Sequence, residues 1–171
     1  MPAVRDATEA DLPAILAIYN HAIETTTAVF SYAPHTMAMR REWFAEKRAK
    51  GYPVLVADAD GVVGFATYGP FRAWPAYRYS VEHSVYVAEA ARRQGIARRL
   101  METLLVRARA QDFHVVIGGI VSENGPSLAL HEGLGFEKVA HFKEVGYKFG
   151  RWLDLTFMQV VLDTPREPVE R

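Results

Sequence analysis

The stretch with most chemical content runs from Ser84 to Met101 and carries Arg92-Arg93-Gln94-Gly95-Ile96-Ala97-Arg98-Arg99 at its centre. It reads as a strand entering a basic, glycine-bearing turn and then an amphipathic helix. Such a turn brings unpaired backbone N–H groups and the positive end of a helix dipole to one point, where a phosphate can sit. Arginines around the turn suit a ligand with more than one negative charge. The alternative is a surface helix with a basic first turn, an arrangement that opposes its own dipole at a cost of about 0.3–1 kcal/mol per charge. A Walker A loop is absent, and a dinucleotide fingerprint needs further glycines where only Gly95 stands. Upstream, Glu82 lies among the apolar Val81, Val85 and Val87. Strand alternation places it on one face with Ser80, Ser84 and Tyr86, opposite Val81, His83, Val85 and Val87. A carboxylate on a central strand is costly unless it faces a wet cavity or a partner. A solvent-facing Glu on a half-exposed strand is the other possibility.

These residues need a frame. Ala3 to Ala7 reads as a short first strand. Thr8-Glu9-Ala10-Asp11 resembles a capping box, and Leu12, Ile15, Leu16 and Tyr19 follow at helical spacing to about Glu24. Thr25 to His35 reads as a loop in which Val29 and Phe30 are apolar enough to be buried. Thr36 caps a second helix, ended near Lys50 by Gly51 and Pro53. Pro53–Ala57 and Val62–Tyr68 are strands joined at Asp60-Gly61, a hairpin signal. Gly69 to Tyr79 is a loop rich in proline and aromatics. The next elements are a strand at Ser80–Ala88 and a helix at Gln94–Gln111, with Ile96, Leu100, Met101, Leu104 and Leu105 on one face. Val115–Val121 is a buried strand. Asn124 is the candidate N-cap of a short helix containing Pro126 and ended by Gly133 and Gly135. Two strands close the chain, near Phe136–Val145 and Leu153–Leu162. The order predicts a mixed sheet with helices on both faces, in which the middle strand–helix–strand unit is parallel.

Composition bounds the rest. The chain has 171 residues, half of them apolar, with a net formal charge of zero. That fits one α/β domain over residues 1–163, followed by a charged, proline-containing tail at 164–171 expected to fray. Nothing in the bulk charge points to nucleic acid. The chain contains no cysteine, which removes disulfides, thiol nucleophiles and cysteine metal sites and fits a reducing cytoplasm. No apolar run approaches a membrane span and no secretory signal is visible, so the expectation is a cytoplasmic protein without a membrane partner. His21, His35 and His114 have no metal-like pairing, and no metal is expected.

Arg92-Arg93-Gln94-Gly95-Ile96-Ala97 resembles the Arg/Gln-x-x-Gly-x-Gly/Ala signature of the GCN5-related N-acetyltransferase (GNAT) superfamily. Three further segments sharpen the likeness: Tyr79–Val87, Asn124-Gly125-Pro126-Ser127 and Gly146–Asp154. All look like the phosphinothricin and methionine sulfoximine N-acetyltransferase family, and the likeness covers roughly Val4 to Leu162.

The resemblance implies a single-domain GNAT fold: a mixed, mostly antiparallel central sheet, helices on both faces, and a splayed central strand pair. It implies acetyl-coenzyme A as cosubstrate, bonded by the backbone of Val85, Tyr86 and Val87. Arg93, Gln94, Gly95, Ile96, Ala97 and Arg98 would wrap its pyrophosphate, and Asn124 and Ser127 would meet the pantetheine arm or its sulfur. Glu82 matches the proposed base that takes a proton from the acceptor amine. Two positions depart from the superfamily. His131 stands where many members carry a Tyr that protonates the departing thiolate; it is either that acid or a helix C-terminal His favoured by the dipole. Arg93 stands where Gly is frequent.

For the acceptor, an amino-acid-like small molecule, the pocket candidates are Phe30 and the loop residues Arg72, Trp74, Pro75, Ala76 and Tyr77. Arg72 is suited to an α-carboxylate or is simply a surface arginine, and Phe30, Trp74 and Tyr77, each taken alone, read first as core packing and second as pocket lining. Lys148 and Arg151 are further anion candidates. A homodimer is implied by the resemblance alone. Two other readings stay open: acetylation of a polyamine, aminoglycoside or protein N-terminus, and a non-catalytic module that binds acyl-coenzyme A. The arginines of the loop, Arg72 and Arg78, count against strongly cationic acceptors.

Overall fold

The structure, a computed structural model, describes residues 1–170. The strands are β1 (Ala3–Asp6), β2 (Val54–Asp58), β3 (Val62–Pro70), β4 (Ser80–Val87), β5 (Val115–Val121), β6 (Glu137–Lys148) and β7 (Arg151–Val161). The helices are α1 (Leu12–Thr25), α2 (Met37–Ala49), α3 (Ile96–Ala110) and α4 (Gly125–Glu132). The hydrogen-bonded strand order is β1-β2-β3-β4-β5-β7-β6. The chain divides into two compact units, one made of Met1–Tyr68 and Ser84–Leu104, the other of Gly69–His83 and the chain from Leu105 onward. No helix among the described residues is long and apolar enough to cross a membrane.

In the first unit β1, β2 and β3 form an antiparallel meander. Its hairpin turns at Asp60 and Gly61, both with positive φ, and the Asp58 carboxylate accepts the Gly61 amide. The capping box forms as read: the Asp11 carboxylate accepts the Thr8 amide at 2.7 Å. Arg5 then clamps Asp11 and Asp58 together. One face of β2–β3 carries Val54, Val56 and Phe65, packed against Leu12, Ile15 and Ile18 of α1 and Phe44 of α2. The other face is held close to α3, because a Cβ on Gly64 would meet the Leu100 side chain at 3.3 Å. Helices therefore cover both faces, as alternation requires. Val29 is buried as expected, whereas Phe30 remains exposed.

In the second unit β4 pairs in parallel with β5 over Ser80–Glu82 against Val115–Ile117, and β5, β7 and β6 are antiparallel. The β6–β7 hairpin is longer than read from sequence. Phe149 and Gly150 both adopt positive φ, which makes a two-residue turn that continues the strands to Lys148 and Arg151. Glu144 also has positive φ, and its amide is accepted by Asp154 where the register shifts between Phe142 and Gly146. A bulge absorbs the extra residues. Among the described residues after Leu162 there is no regular structure, yet they are tied down rather than loose. Thr164 bonds Phe113 and His114, and the Val169 backbone bonds the Tyr79 hydroxyl.

Candidate active site

The basic turn belongs to the first unit. After β4 the chain makes one 3-10 turn at Glu89–Ala91 and then reverses through Arg93, at φ 60°, and Gly95, at φ 76°. Both residues are left-handed, the conformation that glycine adopts without penalty. This explains why Gly is frequent at the position of Arg93. It also explains why α3 starts at Ile96 and not at Gln94, since a left-handed Gly95 cannot continue a helix. The first helical bond runs from the Arg99 amide to the Gly95 carbonyl, so the amides of the first turn have no acceptor within α3. Nothing lies within 4 Å of where a Gly95 Cβ would be, and helix-start amides without an acceptor are the kind of group that binds an anion.

The arginines divide into two sets. Arg99 donates to the Pro2 carbonyl and Arg98 pairs with Glu102, both along or behind α3. Arg92 and Arg93 are exposed at the turn. Gln94 donates to the Ala90 carbonyl at 3.4 Å. In β4 the Tyr86 ring packs on Tyr19 and Phe65, and Val87 lies on the opposite side, near Gly64.

Glu82 belongs to the second unit. It is half-buried, and loss of solvent raises its proton affinity above the usual carboxylate range, opposed in part by the positive charge of Arg72. Room for its carboxylate comes from Gly119 on β5, where a Cβ would stand 3.3 Å from Oε1. Arg72 is exposed, donates to the Phe71 carbonyl and stacks on the Phe71 ring. Trp74, Pro75, Ala76 and Tyr77 are also exposed, the last three in a 3-10 turn. Lys148 is buried. Arg151 engages Glu123 through both guanidinium nitrogens and is not an unpaired anion site.

Behind Glu82, His83 and His131 are both buried and stack with ring centroids 4.9 Å apart. His131 Nδ1 lies 2.7 Å from the Ser127 carbonyl, and its Nε2 lies 3.0 Å from His83 Nε2. A carbonyl can only accept, so Nδ1 of His131 carries the proton. Its Nε2 then accepts from His83 Nε2–H. That leaves His83 Nδ1 as an acceptor, and it is buried with no partner. Burial pushes the His83 proton affinity down to about 3 and lowers that of His131 too. Asn124 caps α4 by accepting the Ser127 amide. The sequence reading missed the histidine pair and the two glycines that make room beside β4. A Cβ on Gly118 would stand 2.5 Å from His83 Nε2. Adjacent glycines inside a β-branched strand were the available signal.

Residues 4–157 match the family described as Acetyltransferase (GNAT) domain. An L-methionine sulfoximine/L-methionine sulfone acetyltransferase of Pseudomonas aeruginosa is 50% identical over 165 residues, covering 95% of this chain and 96% of that protein. A phosphinothricin N-acetyltransferase of Streptomyces viridochromogenes is 40% identical, covering 96% of this chain and 90% of that protein. Among solved structures, the Salmonella typhimurium acetyltransferase yncA with its cofactor acetyl-CoA superimposes with a TM-score of 0.95 at 43% identity, covering 99% of this chain and 98% of that one. A family model over most of the chain, relatives at 40–50% identity and a superimposing solved structure agree: the chain belongs to the GNAT family of acetyltransferases.

Proposed function

We propose that this protein moves the acetyl group of acetyl-coenzyme A to the α-amine of a small amino-acid-like acceptor of the phosphinothricin, methionine sulfoximine or methionine sulfone type. The observation that carries this reading is the half-buried Glu82, whose raised proton affinity brings a carboxylate closer to the pH at which it can take a proton from an ammonium group. The relatives named for those acceptors support the substrate class. Resistance to a phosphinothricin herbicide would follow from such an activity.

In this scheme the amides of Gln94, Gly95, Ile96 and Ala97, with Arg93 and Arg98, grip the diphosphate. The backbone of Val85, Tyr86 and Val87 aligns the pantetheine arm and polarises the thioester carbonyl, as an oxyanion hole does. Asn124 and Ser127 meet the arm near its sulfur. Glu82 removes the ammonium proton, the amine attacks the carbonyl carbon, the carbon–sulfur bond breaks, and the second nitrogen proton, released as the amide forms, leaves to water. Acetyl passes directly to the acceptor, since the chain has no cysteine to carry it. The departing thiolate takes a proton either from His131 or from Glu82, which has just gained one. Both nitrogens of His131 are already bonded, which favours Glu82. Arg72 faces the α-carboxylate, with Phe30, Trp74 and Tyr77 around the acceptor. The protein works in the cytoplasm as a homodimer, for which the exposed Phe142, Tyr147, Phe149 and Trp152 of the β6–β7 hairpin provide an apolar surface.

The test is release of free coenzyme A with methionine sulfone, methionine sulfoximine and phosphinothricin. Glu82→Gln lowers turnover roughly a hundred- to ten-thousand-fold while the coenzyme still binds. Unchanged turnover removes Glu82 from the role.

A further inference from the structure

The ladder between β4 and β5 stops at Glu82. Its registered pairs are Ser80 with Val115, Val81 with Val116 and Glu82 with Ile117, although β5 runs on to Val121. Among the described residues, His83 is therefore the first of β4 without a register partner on β5. Beyond Glu82 that ladder gives the backbone no further hold, and the end of a ladder is where pairing opens most readily.

A side-chain contact takes over there. His83 Nε2 donates to His131 Nε2 at 3.0 Å, and His131, in the last turn of α4, donates to the Ser127 carbonyl at 2.7 Å. The two imidazoles stack, and Phe136 meets both edge-on, with centroids 5.6 Å from His83 and 5.1 Å from His131. In this way α4 holds β4 one residue past its last pair with β5.

Packing alone does not call for histidine at this place. An apolar pair of the same shape is about as stable as a buried hydrogen bond, because neither partner has to lose water. His83 is 8% exposed, and its Nδ1 is a buried acceptor without a partner, a cost that leucine does not carry. Gly118 adds a second cost. A Cβ there would stand 2.5 Å from His83 Nε2, so the interior of β5 gives up a side chain to admit this one nitrogen. Both costs fall on one bond. What the bond adds over packing is direction: it sets the ring, and through the ring the backbone, at one distance.

Glu82 shares that backbone and faces the other way. Loss of solvent keeps its proton affinity raised, and Arg72 is the charged group that acts on it. A drift of β4 off β5 would move the carboxylate and admit water, and a misplacement of about 1 Å costs on the order of a hundredfold in rate.

We propose that His83 is a positioning residue for acetyl transfer: through His131 it fixes the end of the β4–β5 ladder, and with it the backbone that carries Glu82. This rests on the acetyltransferase reading given above and adds a residue to its machinery.

The experiment follows the titration of the Glu82 carboxyl by carbon-13 NMR in the native protein, His83→Leu and His83→Gln. Leucine keeps the bulk and loses the donor; glutamine keeps an N–H near the place of Nε2. In His83→Leu the strand loosens, water reaches Glu82, and its titration moves down toward the ordinary carboxylate value. In His83→Gln it returns toward the native position. Turnover falls at least about tenfold in His83→Leu with the KM for acetyl-coenzyme A unchanged, and glutamine restores most of it. A merely structural role lowers the thermal transition and leaves the Glu82 titration where it was. Should His83→Leu prove unfolded, His131→Asn reads the same titration, since it keeps a donor for the Ser127 carbonyl and lacks the Nε2 acceptor. An unmoved Glu82 titration overturns the proposal. So does equal movement in the Leu and Gln variants, which assigns the effect to the ring and not to its bond. If the native protein releases no coenzyme A with any acceptor, the acetyltransferase reading fails by itself. The Glu82 titration needs no turnover and still decides whether the histidine bond holds the strand.

Discussion

Two neighbouring residues of β4, Glu82 and His83, point to opposite faces of the strand and are pushed in opposite directions by one cause. Burial disfavours the charged form of each. For Glu82 the charged form is the deprotonated one, so its proton affinity rises; for His83 it is the protonated one, so its affinity falls to about 3. The Glu82 face keeps a route to solvent and a nearby cation, Arg72, and the group stays able to cycle. The His83 face is sealed by His131 and Phe136. A carboxylate whose proton affinity is raised is the more useful to a proton transfer. A histidine held neutral and dry is useful as packing and as a hydrogen-bond relay. Each face is served by one glycine of β5, Gly119 for the carboxylate and Gly118 for the imidazole.

That pairing is open to breakage, and the largest effect is expected on the sealed face. Gly118→Ala places a methyl 2.5 Å from His83 Nε2, in a ring that His131 and Phe136 already confine. Overpacking of this kind costs about 1–3 kcal/mol, to which the lost imidazole bond adds. Denaturant titration should show it, and a variant as stable as the native chain would mean that the face is not sealed.

The second effect is on stability against pH. His83 binds protons less readily folded than unfolded, so the unfolded state takes up the extra proton as pH falls. Stability is therefore full above the ordinary value of 6.5 and is lost as pH drops toward about 3. Between pH 6.5 and pH 5 His83 alone contributes a loss of about 1.5–2 kcal/mol, at about 1.4 kcal/mol per unit. His131 adds to it in the same direction. His83→Leu flattens that slope, and an unaltered slope would show that the pair does not titrate on unfolding.

The smallest effect belongs to the open face. A Gly119→Ala methyl stands 3.3 Å from both Glu82 Oε1 and the Phe157 ring, and the end of a flexible carboxylate can yield. Activity should fall about tenfold through a displaced base, equivalent to about 1.4 kcal/mol, with less loss of stability than Gly118→Ala. Equal damage from the two substitutions would erase the distinction between the faces.

Much of the fold was legible because it rests on local rules. The capping box at Thr8–Asp11, the Asp60-Gly61 hairpin, the Asn124 cap and the apolar stripe of α3 are each written in a few adjacent residues. The basic turn was legible for the same reason, since backbone amides at a helix start make an anion cradle whatever the side chains are. Errors fell where a left-handed residue starts or ends an element. Phe149 and Gly95 adopt positive φ, so the final hairpin runs longer and α3 starts later than periodicity implied.

The sequence by itself therefore determined the order of elements, the glycine-bearing basic turn and the face on which Glu82 lies. All of these depend on periodicity or on neighbours within a few positions. Only the tertiary structure decided that His83 meets His131, that Gly118 and Gly119 clear space for adjacent side chains, and that Arg40 is buried beside the Tyr19 and Trp43 rings. Desolvation and missing partners are properties of what packs around a group from distant parts of the chain, and no local pattern encodes them.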